Sequence, residues 1–232
     1  MKVIILAGGF GTRLSEYTES IPKPMVPIGN KPMIEHIMNI YASYGHKEFY
    51  IALGYKGEVI KEYFKNYNGK SKLNLVDTGQ NTMTGGRLKR LKKEIGNNTF
   101  MMTYGDGLSD VNFDKLLEFH KKNKKLVTVT AVRPPARFGF IKFKDNKIIN
   151  FKEKSKLDVG WINGGFFVME PKFLDYIEDD KTYLEREPIE KLVSEGQLAA
   201  YKHEGFWQCM DNKRDLEKLK YLWETSPPWL LR

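Results

Sequence analysis

The run LAGGFGTRL places Gly8, Gly9 and Gly11 directly before Thr12 and Arg13, and IPKPM follows with Lys23 between Pro22 and Pro24. Glycines this close together let the backbone turn sharply and bring its N–H groups against an anion, because no Cβ stands in the way. Arg13 adds a planar donor fork suited to phosphate oxygens, and Thr12 adds a hydroxyl. The flanking prolines are expected to hold the backbone extended around Lys23 and so offer its ammonium from a stiff segment. Taken alone, Lys23 reads as a solvated lysine between two turn prolines; beside the glycine loop and the arginine it reads as a second phosphate cation.

Two familiar phosphate loops do not fit. The pattern G-x-x-x-x-G-K-S/T occurs nowhere in the chain. The dinucleotide fingerprint needs a third glycine where Leu14 stands and an acidic residue closing the second strand, yet Asp77 is the first aspartate in the sequence. Hydride transfer is therefore disfavoured, and a different way of holding phosphates remains.

The elements that must position these residues follow from periodicity. Residues 2–7 form a continuous apolar run bounded by glycine, as expected of a strand buried on both faces of a parallel sheet. Residues 33–44 carry apolar side chains at helical spacing, with Gly45 as the C-terminal cap. Strands at 49–54, 73–79 and 99–107 alternate with helices at 58–67 and 86–95. This predicts an α/β fold: a Rossmann-like, mostly parallel mixed sheet flanked by helices, with ligands outside the carboxyl ends of the strands. Beyond His120 the rhythm changes to strands at 127–132, 138–143, 147–153, 162–170 and 197–205, a more antiparallel half whose helices lie at 172–177, 188–195 and 213–223. With no repeat or linker, residues 1–232 read as one domain, with a nucleotide-binding half at 1–120 and a substrate half at 121–232. Phe166 and Phe167 read as core.

Composition narrows the class. The chain has 232 residues, of which 41% are hydrophobic and 13% aromatic, enough to bury a core. A single cysteine, Cys209, excludes an intramolecular disulfide and any multi-cysteine metal site, and it suits a cytoplasmic location. No apolar run is long enough to cross a bilayer, and VIILA is too short for a signal-peptide core. The net charge of +9 is spread among interleaved lysines and glutamates, a pattern of solvated helix faces that argues against nucleic acid and favours small polyanions. His36, His46, His120 and His203 show no metal spacing.

The ordered set LAGGFGTRL, IPKPMVPIGNKPM, LVDTG, MTGGRLKR, TYGDGLSDV, RFGFIKF, INGGFFV, Glu187 followed by Pro188, and GFWQCMDNKRD resembles the sugar-1-phosphate nucleotidyltransferases, and among them the glucose-1-phosphate cytidylyltransferase branch. The resemblance covers nearly the whole chain. It implies transfer of a nucleotidyl group, CMP from CTP, to a sugar 1-phosphate with release of pyrophosphate, a Mg²⁺ cofactor and a homo-oligomer. It implies a nucleotide site of Leu6, Ala7, Gly8, Gly9, Phe10, Gly11, Thr12, Arg13, Lys23, Thr82, Arg87 and Gly105, with Arg13, Lys23 and Asp106 catalytic. Asp106 and Asp211 would hold the metal, since Mg²⁺ takes one or two carboxylates and completes its shell with phosphates and water. Their bland alternatives are a turn residue and a helix cap. Gly139, Glu153, Lys154, Asn163, Gly164 and Trp207 would bind the sugar phosphate. Members of the branch carry a longer segment where this chain has NGKSKLN, and EKP and QPMD where it has KEKS and QCMD. Alternative readings are a uridylyl- or thymidylyltransferase, or a non-catalytic sensor of the same fold.

Overall fold

The computed structural model describes residues 1–134, 140–152 and 160–230. In chain order the first half comprises β1 (Lys2–Leu6), α1 (Ser15–Thr18), β2 (Pro27–Ile28), β3 (Lys31–Pro32), α2 (Met33–Ser43), β4 (Glu48–Leu53), α3 (Gly57–Phe64), β5 (Lys72–Asp77), α4 (Thr84–Arg90), α5 (Lys92–Ile95), β6 (Phe100–Tyr104), β7 (Gly107–Ser109) and α6 (Phe113–Asn123). The second half comprises β8 (Val127–Val132), β9 (Phe140–Lys144), β10 (Lys147–Lys152), β11 (Ile162–Met169), α7 (Glu187–Ser194), β12 (Leu198–His203), β13 (Trp207–Cys209) and α8 (Lys213–Thr225).

One seven-stranded sheet, in the order β12-β8-β11-β6-β1-β4-β5, takes strands from both halves. β1 pairs in parallel with β4 and β6, and β4 with β5. The expected antiparallel character of the second half is narrower than the spacing suggested. Within this sheet only β11 runs against its neighbours β6 and β8, while β12 is parallel to β8. The other antiparallel pairs among the described residues are the β9–β10 hairpin and two short ladders, β2–β3 and β7–β13.

The strand KVIIL shows why helices cover both faces. Val3 and Ile5 join one buried cluster with α2, α3 and α8, whereas Ile4 and Leu6 join another with α4, α5 and α7. Period-2 side-chain alternation along a strand buried on both sides requires this division. The predicted helix at 86–95 is two shorter helices, and the one expected at 172–177 is a 3₁₀ turn over Pro171–Tyr176. After α8, whose end precedes Pro227 and Pro228, Trp229 folds back into the core at 1% exposure. Its indole N–H donates to His36 Nδ1 at 3.3 Å, while His36 Nε2 donates to the Ile28 carbonyl at 2.9 Å. Because β1, β4, β5 and β6 are parallel, Leu6, Leu53, Asp77 and Tyr104 all end at one edge of the sheet, and the site lies there.

Candidate active site

A cavity of about 420 Å³ opens at that edge. Leu6, Ala7, Gly8, Gly9, Phe10, Gly11, Thr12, Arg13, Lys23, Thr82, Arg87 and Gly105 all border it, so the twelve residues expected around the nucleotide come together. Gln80, Met83, Thr84, Tyr104 and Tyr183 line it as well. Among the described residues, the amides of Gly8 through Arg13 donate to no backbone carbonyl, the first donor after Ala7 being Leu14 to the Gly11 oxygen at 3.0 Å. A run of unsatisfied N–H groups on a tight loop is an anion nest.

The charged groups meet at one end of this loop. Lys23 Nζ donates to Asp106 Oδ2 at 2.6 Å and to Asp211 Oδ1 at 2.8 Å, and Arg13 donates to Asp211 Oδ2 at 2.9 Å. Burial by itself would lower the Lys23 pKa, but the two carboxylates outweigh it, and the ammonium titrates above its ordinary range. Contrary to expectation, the backbone is not extended at Lys23. Pro22 is extended, and Lys23–Met25 is a 3₁₀ turn closed by Met25 N–H donating to the Pro22 carbonyl at 2.8 Å. Pro24 is tolerated inside this turn because the first residues of a helical turn need no amide donor.

Asp106 and Asp211, far apart in sequence, are joined by the β7–β13 ladder. Cys209 pairs with Gly107, and the Met210 amide donates to the Asp106 carbonyl at 2.8 Å. Asp211 does not cap the following helix; Asn212 does, accepting from the Asp215 amide at 3.1 Å. Both aspartates thus turn oxygens toward the same ammonium. Two hard carboxylates that reach a common cationic point, beside a phosphate nest, fit a divalent metal that completes its shell with substrate oxygens. Among the described residues there is no cluster of three or more His, Cys, Asp or Glu that could hold a metal by itself.

Arg87 borders the cavity, but its guanidinium is engaged within the protein. It donates to the carbonyls of Leu53, Gly79, Gly8 and Gln80 and to Thr78 Oγ1, at 2.7–3.1 Å. It ties the ends of β1, β4 and β5 together. A Cβ on Gly8 would lie 2.3 Å from Arg87 Cζ, so this glycine is needed to seat the arginine. The TGG segment has a comparable packing role. A Cβ on Gly85 would come within 2.7 Å of the Thr182 carbonyl, and one on Gly86 within 2.6 Å of Asp180 Cα. The 180–185 loop lies directly on these glycines, and Met83 and Gly85 donate to its carbonyls.

Of the residues expected to bind the sugar phosphate, Asn163, Gly164 and Trp207 line a second, smaller cavity of about 40 Å³ with Tyr104, Asp106 and Cys209. Asp106 therefore faces both spaces. The Trp207 indole N–H is occupied by the Gly164 carbonyl at 2.7 Å, which leaves its ring for contact. Burial, with the charges of Asp211 and Asp106, pushes the Cys209 thiol up to about 12, so it stays protonated and unreactive. Gly139, Glu153 and Lys154 lie outside the described residues. Glu185 was not singled out from sequence; its nearest signal was the Glu187 and Pro188 pair two residues on. It accepts from the Tyr104 hydroxyl at 2.6 Å and from Thr84 Oγ1 at 2.7 Å. Phe166 and Phe167 are core, as expected.

Residues 2–226 match the profile of the family described as nucleotidyl transferase. The chain is 45% identical to a glucose-1-phosphate cytidylyltransferase of Salmonella typhimurium, covering 99% of this chain and 98% of that protein. It is 42% identical to a probable glucose-1-phosphate cytidylyltransferase of Bacillus subtilis, with 97% of each covered. Among solved structures, HddC from Yersinia pseudotuberculosis superposes with a TM-score of 0.78 at 26% identity, covering 95% of this chain and 98% of that one. The alignment with the Salmonella protein runs over 253 positions, longer than this chain, so part of it consists of gaps on this chain's side.

Proposed function

The chain belongs to the nucleotidyl transferase family, and from that premise we propose that it transfers CMP from CTP to glucose 1-phosphate, forming a nucleotide-sugar and pyrophosphate. The observation that carries the reading is Lys23, held at 2.6 and 2.8 Å between Asp106 and Asp211 where the glycine loop meets the small cavity. The relatives' names supply the choice of nucleotide and sugar.

In this reading an oxygen of the sugar phosphate attacks the α-phosphorus of the triphosphate in line. A new P–O bond forms as the bond to the pyrophosphate oxygen breaks, and the electron pair leaves with pyrophosphate. Such a transfer needs two polyanions held together and their charge neutralised, and little covalent help. The loop amides from Gly8 to Arg13 cradle the departing phosphates, Arg13 adds its donor fork, and Lys23 serves the α-phosphate or the incoming phosphate. Asp106 and Asp211 would hold Mg²⁺, which would supply charge neutralisation of the phosphate oxygens. Thr82 and the segment up to Thr84 flank the base. Asn163, the Trp207 ring and the expected Glu153 and Lys154 serve the sugar phosphate. Residues 1–120 thus bind nucleotide and 121–232 the sugar phosphate, with Asp211 returning to the nucleotide side. The chain works in the cytoplasm as a homo-oligomer.

Pyrophosphate release with Mg²⁺ and glucose 1-phosphate, run in parallel with CTP, UTP, dTTP, ATP and GTP, tests this. A signal dominated by CTP is the expected result. Release dominated by another triphosphate overturns the nucleotide assignment, and no release with any triphosphate over a panel of sugar phosphates overturns the enzymatic reading in favour of a sensor.

A further inference from the structure

Glu185 stands in the loop before α7, outside both sets of substrate residues, yet its carboxylate joins the two walls of the site. One oxygen accepts from Thr84 Oγ1 at 2.7 Å. Thr84 opens α4 and lines the nucleotide cavity, and its hydroxyl accepts in turn from the Leu184 amide at 2.9 Å. The other oxygen accepts from the Tyr104 hydroxyl at 2.6 Å. Tyr104 borders both cavities, and its hydroxyl accepts from Asn163 Nδ2 at 3.4 Å, while Asn163 Oδ1 accepts from the Gly165 amide at 2.8 Å. Every hydroxyl proton in this chain therefore points toward Glu185, and the direction of the chain sets the Asn163 amide, with nitrogen toward Tyr104 and oxygen toward Gly165.

We propose that Glu185 is a positioning residue that couples the two half-sites, fixing Thr84 on the nucleotide side and Tyr104 with Asn163 on the sugar side. The proposal rests on the nucleotidyl-transfer reading. Its physical basis is reach. Both carboxylate oxygens are committed to hydroxyls on different elements, α4 and the end of β6, so the length of the side chain matters more than its charge. Glutamine keeps that reach and can accept from Tyr104 through its carbonyl while its amide donates to Thr84, whose oxygen has a lone pair to spare. Aspartate keeps the charge and, one methylene shorter, cannot span both partners.

The test compares Glu185→Gln, Glu185→Asp and Glu185→Ala in the full-length protein. CTP affinity without sugar is read by calorimetry, and KM for each substrate is read from initial rates. Losing a hydrogen bond to a charged group costs on the order of tenfold in binding. Glu185→Asp and Glu185→Ala are expected to weaken CTP binding and raise the sugar-phosphate KM by about that factor each, with Glu185→Gln within about threefold of wild type. Tyr104→Phe should be non-additive with Glu185→Ala in the sugar-phosphate KM, because both break the same link. Three results overturn the proposal: Glu185→Gln as impaired as Glu185→Ala, which assigns the role to charge; Glu185→Asp behaving as wild type; or a change confined to the sugar-phosphate KM, which makes Glu185 a sugar ligand with no coupling role. Should the wild type turn over no substrate, the transfer reading fails by itself, while calorimetry with CTP still reports whether Glu185 shapes the nucleotide wall.

Discussion

The glycine-loop wall of the cleft is main chain braced by one buried guanidinium. Parallel strands end together, a glycine loop turns off β1, and Arg87 locks three strand ends through carbonyl oxygens. The wall around the small cavity is instead held by side chain to side chain: Glu185 to Tyr104 to Asn163, with the Trp207 indole on the Gly164 carbonyl. The contrast separates two kinds of vulnerability. A wall of backbone amides is sensitive to Cβ atoms added where the chain packs closely, whereas a wall of side-chain links fails when one reach is shortened.

The largest expected effect falls on the group that faces both walls. Asp106→Ala should abolish turnover, a loss of several orders of magnitude, with the thermal midpoint nearly unchanged; full activity in this variant removes Asp106 from the mechanism. Arg13 is next. Its side chain is 78% exposed, so Arg13→Ala should leave stability alone and cost about 10²–10³ in kcat/KM, the scale of one charge-stabilising donor. The glycines sharpen the comparison further. Gly86→Ala, whose Cβ would meet Asp180 Cα at 2.6 Å, should destabilise by about 1–3 kcal/mol in denaturant titration. Gly9→Ala meets nothing within 4 Å and should leave stability unchanged while weakening nucleotide binding. Equal stability loss at both positions would dissolve the distinction between packing glycines and ligand glycines.

The smallest effect lies away from the cleft. His36 accepts from the Trp229 indole and is pushed below its ordinary pKa, first by burial and then by the Lys31 charge, against the Ile28 carbonyl and Glu35, which raise it. A depressed folded pKa means the unfolded chain binds the proton more readily, so this contribution is complete above the unfolded value near 6.5 and is lost as pH falls below it. Thermal midpoints from pH 8 to 5 should fall with acidity, and less steeply in His36→Gln.

Much of this was legible in the sequence because it is local or periodic. The KVIIL strand, the helix of residues 33–43 and the glycine loop each announce themselves within a dozen residues, and the loop residues do meet in one cavity. What was not legible depends on contacts between distant segments. Asp211 beside Asp106, which needs the β7–β13 ladder, is reached only through the family resemblance, and Glu185 on Tyr104 leaves no spacing to read. The two glycines of MTGGRLKR make room for the chain's own 180–185 loop, a contact that no local pattern announces. The resemblance puts Arg87 at the nucleotide, and it borders the cavity, but sequence reports a charge and not which carbonyls occupy it.

The most direct test of the central claim follows the α-phosphorus. With CTP labelled at the α-phosphate and glucose 1-phosphate as acceptor, the label should be recovered in the nucleotide-sugar, while a γ-label appears in pyrophosphate, and neither should move without the sugar phosphate. Label from the γ-position on the sugar, or α-label released as free CMP at the same rate with or without acceptor, would contradict nucleotidyl transfer at this site.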